Sequence, residues 1–194
     1  MVNGRWSDMR CFIALEISQK NRDEFSRITA ILKASGAAVK WVAPKKIHLT
    51  LKFLGDVPKN KISAVTDKLK NIAAATPSFC ITPAGIGVFP GWSRPRAVWV
   101  GVGPGDAAVK NLAAQVENAM KKEGFKKSDN PFSPHFTLGR IKTAKKTFLL
   151  KKAANAITVT PVPVRISEII LFKSDLTPTG AIYTPLSRHP LSSP

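Results

Sequence analysis

Only three histidines occur in the chain, and two of them open the same tetrapeptide, His48-Leu-Thr-Leu51 and His135-Phe-Thr-Leu138. Each lies in a strand-like stretch with a proline just upstream, Pro44 and Pro134. The two stand close to half a chain length apart, a spacing that suggests an internal duplication. On a strand, residues i and i+2 project to one face. His48 and Thr50 therefore point together with Leu49 and Leu51 behind them, and His135 and Thr137 do the same over Phe136 and Leu138. If two such strands face each other, two imidazoles and two hydroxyls converge on one small cavity. There a neutral imidazole takes a proton from water while a protonated one gives a proton to a leaving oxygen. The threonine hydroxyls donate to non-bridging oxygens of a phosphate, where charge sits in the transition state. In-line displacement at phosphorus needs attacking and leaving oxygens on opposite sides, and histidines from two facing strands meet that need.

Other chemistries lack their signatures. A lone strand histidine is more often a core residue than a catalyst, so the repetition carries the inference. Zinc takes three or four ligands, and no H-E-x-x-H or paired C-x-x-C is present. No local motif of a serine or cysteine triad occurs. No G-x-G-x-x-G or G-x-x-x-x-G-K loop follows any strand, and Gly101-Val-Gly-Pro-Gly105 has the wrong spacing for one. Neither a metal nor an organic cofactor is expected.

The elements that must position these residues are short strands alternating with helices. Strands are predicted over 10–17, 46–54, 79–86, 97–102, 135–141, 162–172 and 181–186, and helices over 21–35, 58–75, 104–123 and 144–154. The helix over 104–123 places Val109, Leu112, Ala113, Val116 and Met120 on one face. At 194 residues and 44% hydrophobic the chain suits one compact unit that can bury a core. Thirty Lys and Arg against twelve Asp and Glu give a formal charge of +18, an excess that attracts polyanions and above all nucleic acid. Two cysteines, Cys11 and Cys80, indicate no disulfide framework. Met1 to Met9 holds no apolar stretch of signal-peptide length, and no segment nears the roughly 20 apolar residues of a membrane span. A cytoplasmic protein without membrane contact is expected.

At the two tetrapeptides the sequence resembles the 2H phosphoesterase superfamily, and within it the RNA 2′,3′-cyclic phosphodiesterases, also called 2′-5′ RNA ligases. The matching pieces are Arg10-Cys-Phe-Ile-Ala-Leu15, Trp41-Val42, His48-Leu-Thr-Leu-Lys-Phe-Leu-Gly55 and Gly87-Val-Phe-Pro90. Further on come Arg94-Pro-Arg-Ala-Val-Trp99, Ser133-Pro-His-Phe-Thr-Leu-Gly-Arg140, Ile170-Leu-Phe-Lys-Ser174 and Gly180-Ala-Ile-Tyr183. The resemblance implies an α+β fold over residues 1–194: a single bilobal domain of two antiparallel sheets with outer helices, related by a pseudo-twofold axis, with the active site in the central cleft. It implies metal-independent hydrolysis of RNA 2′,3′-cyclic phosphate ends to 2′-phosphomonoesters, with His48 as proton donor, His135 as proton acceptor, and Thr50 and Thr137 holding the phosphate. RNA with such ends, tRNA halves included, is the expected partner of a monomeric enzyme.

Around this core the residues read less uniformly. In a regular strand Lys52 shares the face of His48 and Thr50 and would meet an RNA phosphate. Arg140 would face away from Thr137 unless Gly139 introduces a bulge. Trp92, Arg94 and Arg96 mix an aromatic with cations in one loop, which suits base stacking and phosphate contact. Trp99 is read as core, and His189 as solvent-exposed. Two competing functions use the same residues: a 2′-5′ RNA ligase joining a 2′,3′-cyclic phosphate to a 5′-hydroxyl, and a non-catalytic RNA-binding protein. Intact histidines in both motifs argue against the second, since Arg or Lys would serve binding as well.

Overall fold

The backbone alternates strand and helix, and each half of the chain places two helices among five strands in a similar order. In the computed structural model, which describes residues 8–178 and 180–193, the first half runs β1 (Met9–Leu15), α1 (Gln19–Lys33), β2 (Val39–Trp41), β3 (Leu49–Val57), α2 (Ile62–Ala74), β4 (Phe79–Ile81) and β5 (Pro83–Phe89). The second half runs β6 (Ala97–Val102), α3 (Asp106–Lys122), β7 (His135–Ile141), α4 (Thr147–Ala156), β8 (Val164–Ile166), β9 (Glu168–Thr177) and β10 (Gly180–Pro190). The expectation for Met1 to Met9 falls outside the described residues except at Asp8 and Met9. Among the described residues no helix is long and apolar enough to cross a membrane.

The helices form where one apolar stripe can be buried. In α1 the Ser18 side chain caps the first turn by accepting from the Asn21 N–H, and Phe25, Ile28 and Leu32 face inward. Val65, Leu69 and Ala73 do the same in α2, and Leu150 and Ala154 in α4. The α3 face holds the five residues that periodicity assigns to it. Gly105 begins α3 at φ +86°, and a Cβ there would lie 2.3 Å from the Cys80 carbonyl oxygen, so only glycine fits.

The strands follow the order β10-β9-β1-β3-β7-β6-β5, all antiparallel, with β2 added to β7 and a separate two-stranded β4–β8 sheet. The two halves of this path touch at one register pair, Leu49 with Phe136. The molecule thus holds two four-stranded antiparallel sheets meeting at a seam. Leu49, Leu51, Phe136 and Leu138 enter the main core behind the sheets, where Phe25 of α1 packs on Phe136 at 5.1 Å. A second, smaller cluster of Phe12, Ala14, Ile170 and Phe172 lies on the opposite face of the first sheet, with Tyr183 against it.

Several boundaries differ from expectation. The run 79–86 is two strands, and so is the run 162–172. In both halves the first part leaves the main sheet, and Phe79, Cys80 and Ile81 pair with Ile166, Arg165 and Val164. The strand expected from Lys46 starts at Leu49 because Pro44–Lys46 forms a 3-10 turn. The last strand extends to Pro190 and tolerates Pro185 because β10 is an edge strand. That extension corrects the reading of His189. It is 6% exposed, paired in register with Ile169, and its Nε2 lies 2.9 Å from the Ser187 hydroxyl.

Candidate active site

The single Leu49–Phe136 pair fixes the geometry. Extending that antiparallel register by one residue each way sets His48 across from Thr137 and Thr50 across from His135. Leu49 and Phe136 are fully buried toward the helices, so their neighbours face the cleft. The backbone alone thereby brings together all four residues that the repeated tetrapeptide singles out.

Both histidines are held in the same way. His48 Nδ1 lies 2.8 Å from the Lys46 carbonyl, and His135 Nδ1 lies 2.7 Å from the Ser133 carbonyl. A carbonyl only accepts, so Nδ1 carries the hydrogen and donates it, and Nε2 is the nitrogen free to exchange a proton. Aromatic rings box each imidazole. Phe12 stacks on His48 at 4.9 Å and Tyr183 meets it edge-on at 5.3 Å. Phe89 meets His135 edge-on at 4.8 Å, with Trp99 at 6.3 Å.

Burial is the largest influence on both rings and pushes both pKa values below the ordinary imidazole value of 6.5. For His48 the bond to the Lys46 carbonyl and the charge of Glu16 act upward, while Arg22 and His135 act downward. For His135 the bond to the Ser133 carbonyl acts upward. The two imidazoles are thus close enough to influence each other. An anion seated between them would favour one protonated ring.

A cavity of about 460 Å³ opens over this face, with His48, Thr50, Thr137 and Arg140 in its wall. His135 does not contribute to that wall, and its ring is bordered by Phe89 and Trp99. Arg10, Lys40, Lys46 and Arg140 line the cavity, and among the described residues no carboxylate does. Neither threonine hydroxyl is engaged by another described residue, so both are available to a ligand.

Two bulges decide what flanks the motifs, and they occur at the same place in each. Along β3, Thr50 pairs with Ala14 and Lys52 with Ile13, which leaves Leu51 as the extra residue. Along β7, Thr137 pairs with Trp99 and Gly139 with Val98, which leaves Leu138 extra. Each bulge flips the side chains that directly follow it to the other face, and along β3 the register shifts again at Leu54.

Lys52 accordingly is not a substrate contact, a correction to the regular-strand reading. Its side chain is 1% exposed, and Nζ donates to both Glu117 carboxylate oxygens and to the Lys126 carbonyl, each at 2.9 Å. Phe53, which alternation assigns to the core, instead emerges in the cavity wall at 67% exposure. Arg140 is turned toward Thr137 as the bulge alternative allows, though the extra residue is Leu138 rather than Gly139. Gly139 then faces β2, where a Cβ would come within 2.5 Å of Val39 Cγ1.

The remaining candidates lie outside the cavity wall. Trp92 is half-buried against the core, and Arg94 and Arg96 are exposed on the 90–96 loop. Trp99 is a correction too: it shares the face of Thr137 and borders His135 instead of filling the core. Phe12, Phe53, Phe89 and Tyr183 escaped the sequence reading because aromatic residues on strands look like core. The signal that could have found Phe53 is its position, since it occupies in the first motif the place of Arg140 in the second.

Comparison with known proteins follows the same twofold pattern. The family described as LigT-like phosphoesterases matches twice, over residues 15–99 and 100–183. An RNA 2′,3′-cyclic phosphodiesterase of Thermotoga maritima is 34% identical over 175 residues, covering 90% of this chain and 91% of its own. One from Aquifex aeolicus is 35% identical over 179 residues, covering 91% of this chain and 94% of its own. Among solved structures, Escherichia coli LigT complexed with 3′-AMP superposes with a TM-score of 0.75 at 28% identity, covering 96% of this chain and 99% of that one.

Proposed function

Since the chain belongs to the LigT-like phosphoesterases of the 2H superfamily, we propose that His48 and His135 are the acid and base with which it opens RNA 2′,3′-cyclic phosphates. The protein is an RNA 2′,3′-cyclic phosphodiesterase, a hydrolase. Its cyclic phosphate sits between the two motif strands. His135 Nε2 takes a proton from water as the water oxygen bonds to phosphorus. The bond from phosphorus to O3′ breaks, His48 Nε2–H gives its proton to that oxygen, and a 2′-phosphomonoester remains. Thr50 and Thr137 donate to the two non-bridging oxygens. Solvent then resets the two protons.

The observation that carries this reading is the register pair Leu49–Phe136, which sets each motif histidine across from the other motif's threonine. Identical Nδ1 bonds to backbone carbonyls leave two Nε2 atoms for opposite sides of one phosphorus. The assignment of roles follows the family resemblance; the charge of Glu16 acts upward on His48, but burial outweighs it. In the wall Arg10, Lys40, Lys46 and Arg140 supply the counter-charge, and exposed Phe53 offers a ring to the terminal base. Both motifs come from one chain, so the unit acts as a single two-lobed domain and as a monomer. RNA fragments with cyclic ends, tRNA halves among them, are its substrates, and two unpaired cysteines fit a reducing cytoplasm.

Turnover of a short RNA ending in a 2′,3′-cyclic phosphate, with EDTA present, tests the assignment. The wild type releases a 2′-phosphate, and His48→Ala and His135→Ala each lose about 10²- to 10⁴-fold. Full activity in either variant sinks the two-histidine mechanism.

A further inference from the structure

The twelve carboxylates of the chain are unevenly placed. None lies between Glu24 and Asp56, between Asp67 and Asp106, or between Asp129 and Glu168. Folding brings these three acid-free stretches together. They supply β2 with the start of β3, the β5–β6 hairpin, and β7 with α4. Lys40 and Arg140 are register partners in the cavity wall, with Ala97 on the other side of Arg140. At the end of β7 the Arg96 carbonyl accepts from the Ile141 N–H, and the Lys142 N–H donates to the Ala38 carbonyl, each at 2.8 Å. The chain then passes exposed Lys145 and enters α4, where Phe148 is 71% exposed in the first turn.

Four exposed or half-exposed lysines elsewhere are neutralised, in Lys68–Glu123, Lys110–Asp106, Lys126–Asp129 and Lys173–Asp175. Others such as Lys59, Lys121 and Lys122 stand alone among the described residues, so the face is set apart by the convergence of its acid-free stretches. On this face Lys40, Arg96, Arg140, Lys142 and Lys145 have no carboxylate partner among the described residues. A row of unneutralised cations repels itself and gains nothing for the fold. It is suited to an anionic chain, and an exposed aromatic among the cations is suited to unpaired bases.

We propose that this face binds the single-stranded RNA upstream of the cyclic end. The strand leaves the cavity past Lys40 and Arg140, its phosphates lie along Arg96, Lys142 and Lys145, and a base stacks on Phe148. The cavity alone accommodates a cyclic mononucleotide, and this face adds affinity for a longer strand. This deepens the hydrolase reading and rests on it for the position of the RNA's end.

Binding of a fluorescent single-stranded RNA of about twelve nucleotides with an unreactive 3′-hydroxyl end reads the surface without turnover. With four phosphates neutralised, by Lys40, Arg96, Lys142 and Lys145, affinity falls about 50-fold between about 50 and 200 mM salt. In the double variant Lys142→Gln/Lys145→Gln that fall shrinks to about sevenfold. Phe148→Ala weakens binding about tenfold and leaves the salt dependence unchanged. Turnover of a 2′,3′-cyclic mononucleotide stays at the wild-type level in these variants, while turnover of the long RNA falls with its affinity. Equal binding by wild type and variants, or equal binding of a duplex, overturns the surface. Failure of the wild type to open either cyclic substrate sinks the hydrolase reading instead and leaves the binding result to stand by itself.

Discussion

Replacing Lys52 by Met tests whether the bulge at Leu51 sits where the register places it. The change keeps the aliphatic stem and removes only the ammonium. In the wild type that ammonium is buried and fully satisfied by Glu117 and the Lys126 carbonyl. Glu117 also accepts from the Ser128 N–H at 3.1 Å and from its hydroxyl at 2.9 Å, so the network ties β3 to α3 and to the loop that leads into β7. Breaking a fully buried ion pair costs about 3–5 kcal/mol. The Glu117 side chain is 22% exposed, so water recovers part of that, and the expected loss is about 2–4 kcal/mol. For a chain of this size a loss of about 3 kcal/mol lowers the melting midpoint by about 6–12 °C.

The assay is urea unfolding of wild type, Lys52→Met, Glu117→Gln and the double variant. The double variant loses less than the two single losses combined, because the second change removes the charge that the first left buried. The pH dependence has a definite sign. Burial pushes the Glu117 carboxyl up, but the bonds from Lys52 and Ser128 outweigh it and hold the folded value below 4.5. The pair's contribution is therefore complete above 4.5 and is lost as pH falls through the folded value. The gap between wild type and Lys52→Met narrows over that window. If Lys52→Met leaves stability within about 0.5 kcal/mol of wild type and raises KM instead, the lysine reaches substrate and the register is wrong.

Three further outcomes follow from the site. The bell of kcat/KM against pH belongs to the histidine pair as a unit, and its optimum falls on the acid side of 6.5 because burial disfavours both imidazolium forms. The same lowered values make the unfolded chain bind protons first, so this contribution to stability is complete above 6.5 and is lost as pH falls through the folded values. An optimum well above 6.5 contradicts the burial argument. Phe53→Ala leaves stability nearly unchanged, since the ring is 67% exposed, and lowers kcat/KM on a cyclic mononucleotide by about 5- to 150-fold through lost base stacking. An unchanged kcat/KM removes Phe53 from the substrate site.

The convergence of His48, Thr50, His135 and Thr137 was legible in the sequence because its geometry is local. A two-residue period within each tetrapeptide puts His and Thr on one face, and no knowledge of the partner strand is needed. The helices were legible for a similar reason, as α3 illustrates, since its buried face recurs within the element itself. What lay beyond the tetrapeptides was not legible. In His48-Leu-Thr-Leu-Lys-Phe53 strict alternation buries Phe53 and exposes Lys52, and nothing in that string reveals the extra residue at Leu51. A bulge is a property of two strands, and its partners, Ala14 and Ile13, lie far away in the sequence. The split of 79–86 and 162–172 was hidden in the same way, because each first part departs to pair with the other.

The paired bulges also explain how a duplicated frame binds an unsymmetrical substrate. Each half offers the same histidine, the same threonine and the same extra leucine, so in the proposed mechanism the two imidazoles flank phosphorus alike. The next two residues carry the difference: Lys52-Phe53 in one half and Gly139-Arg140 in the other. The bulge sends Lys52 and Gly139 backward, one into an ion pair and one against β2, and sends Phe53 and Arg140 forward into the cavity. One half-site thus presents a ring and the other a fixed cation. The cation stands on the same side as the acid-free face. A nucleotide, with its base at one end and its phosphates at the other, meets walls that are equivalent in backbone and opposite in chemistry. In the proposed mechanism the chemical step uses the symmetry of the two histidines, and the direction of the strand is set by the two residues where that symmetry fails.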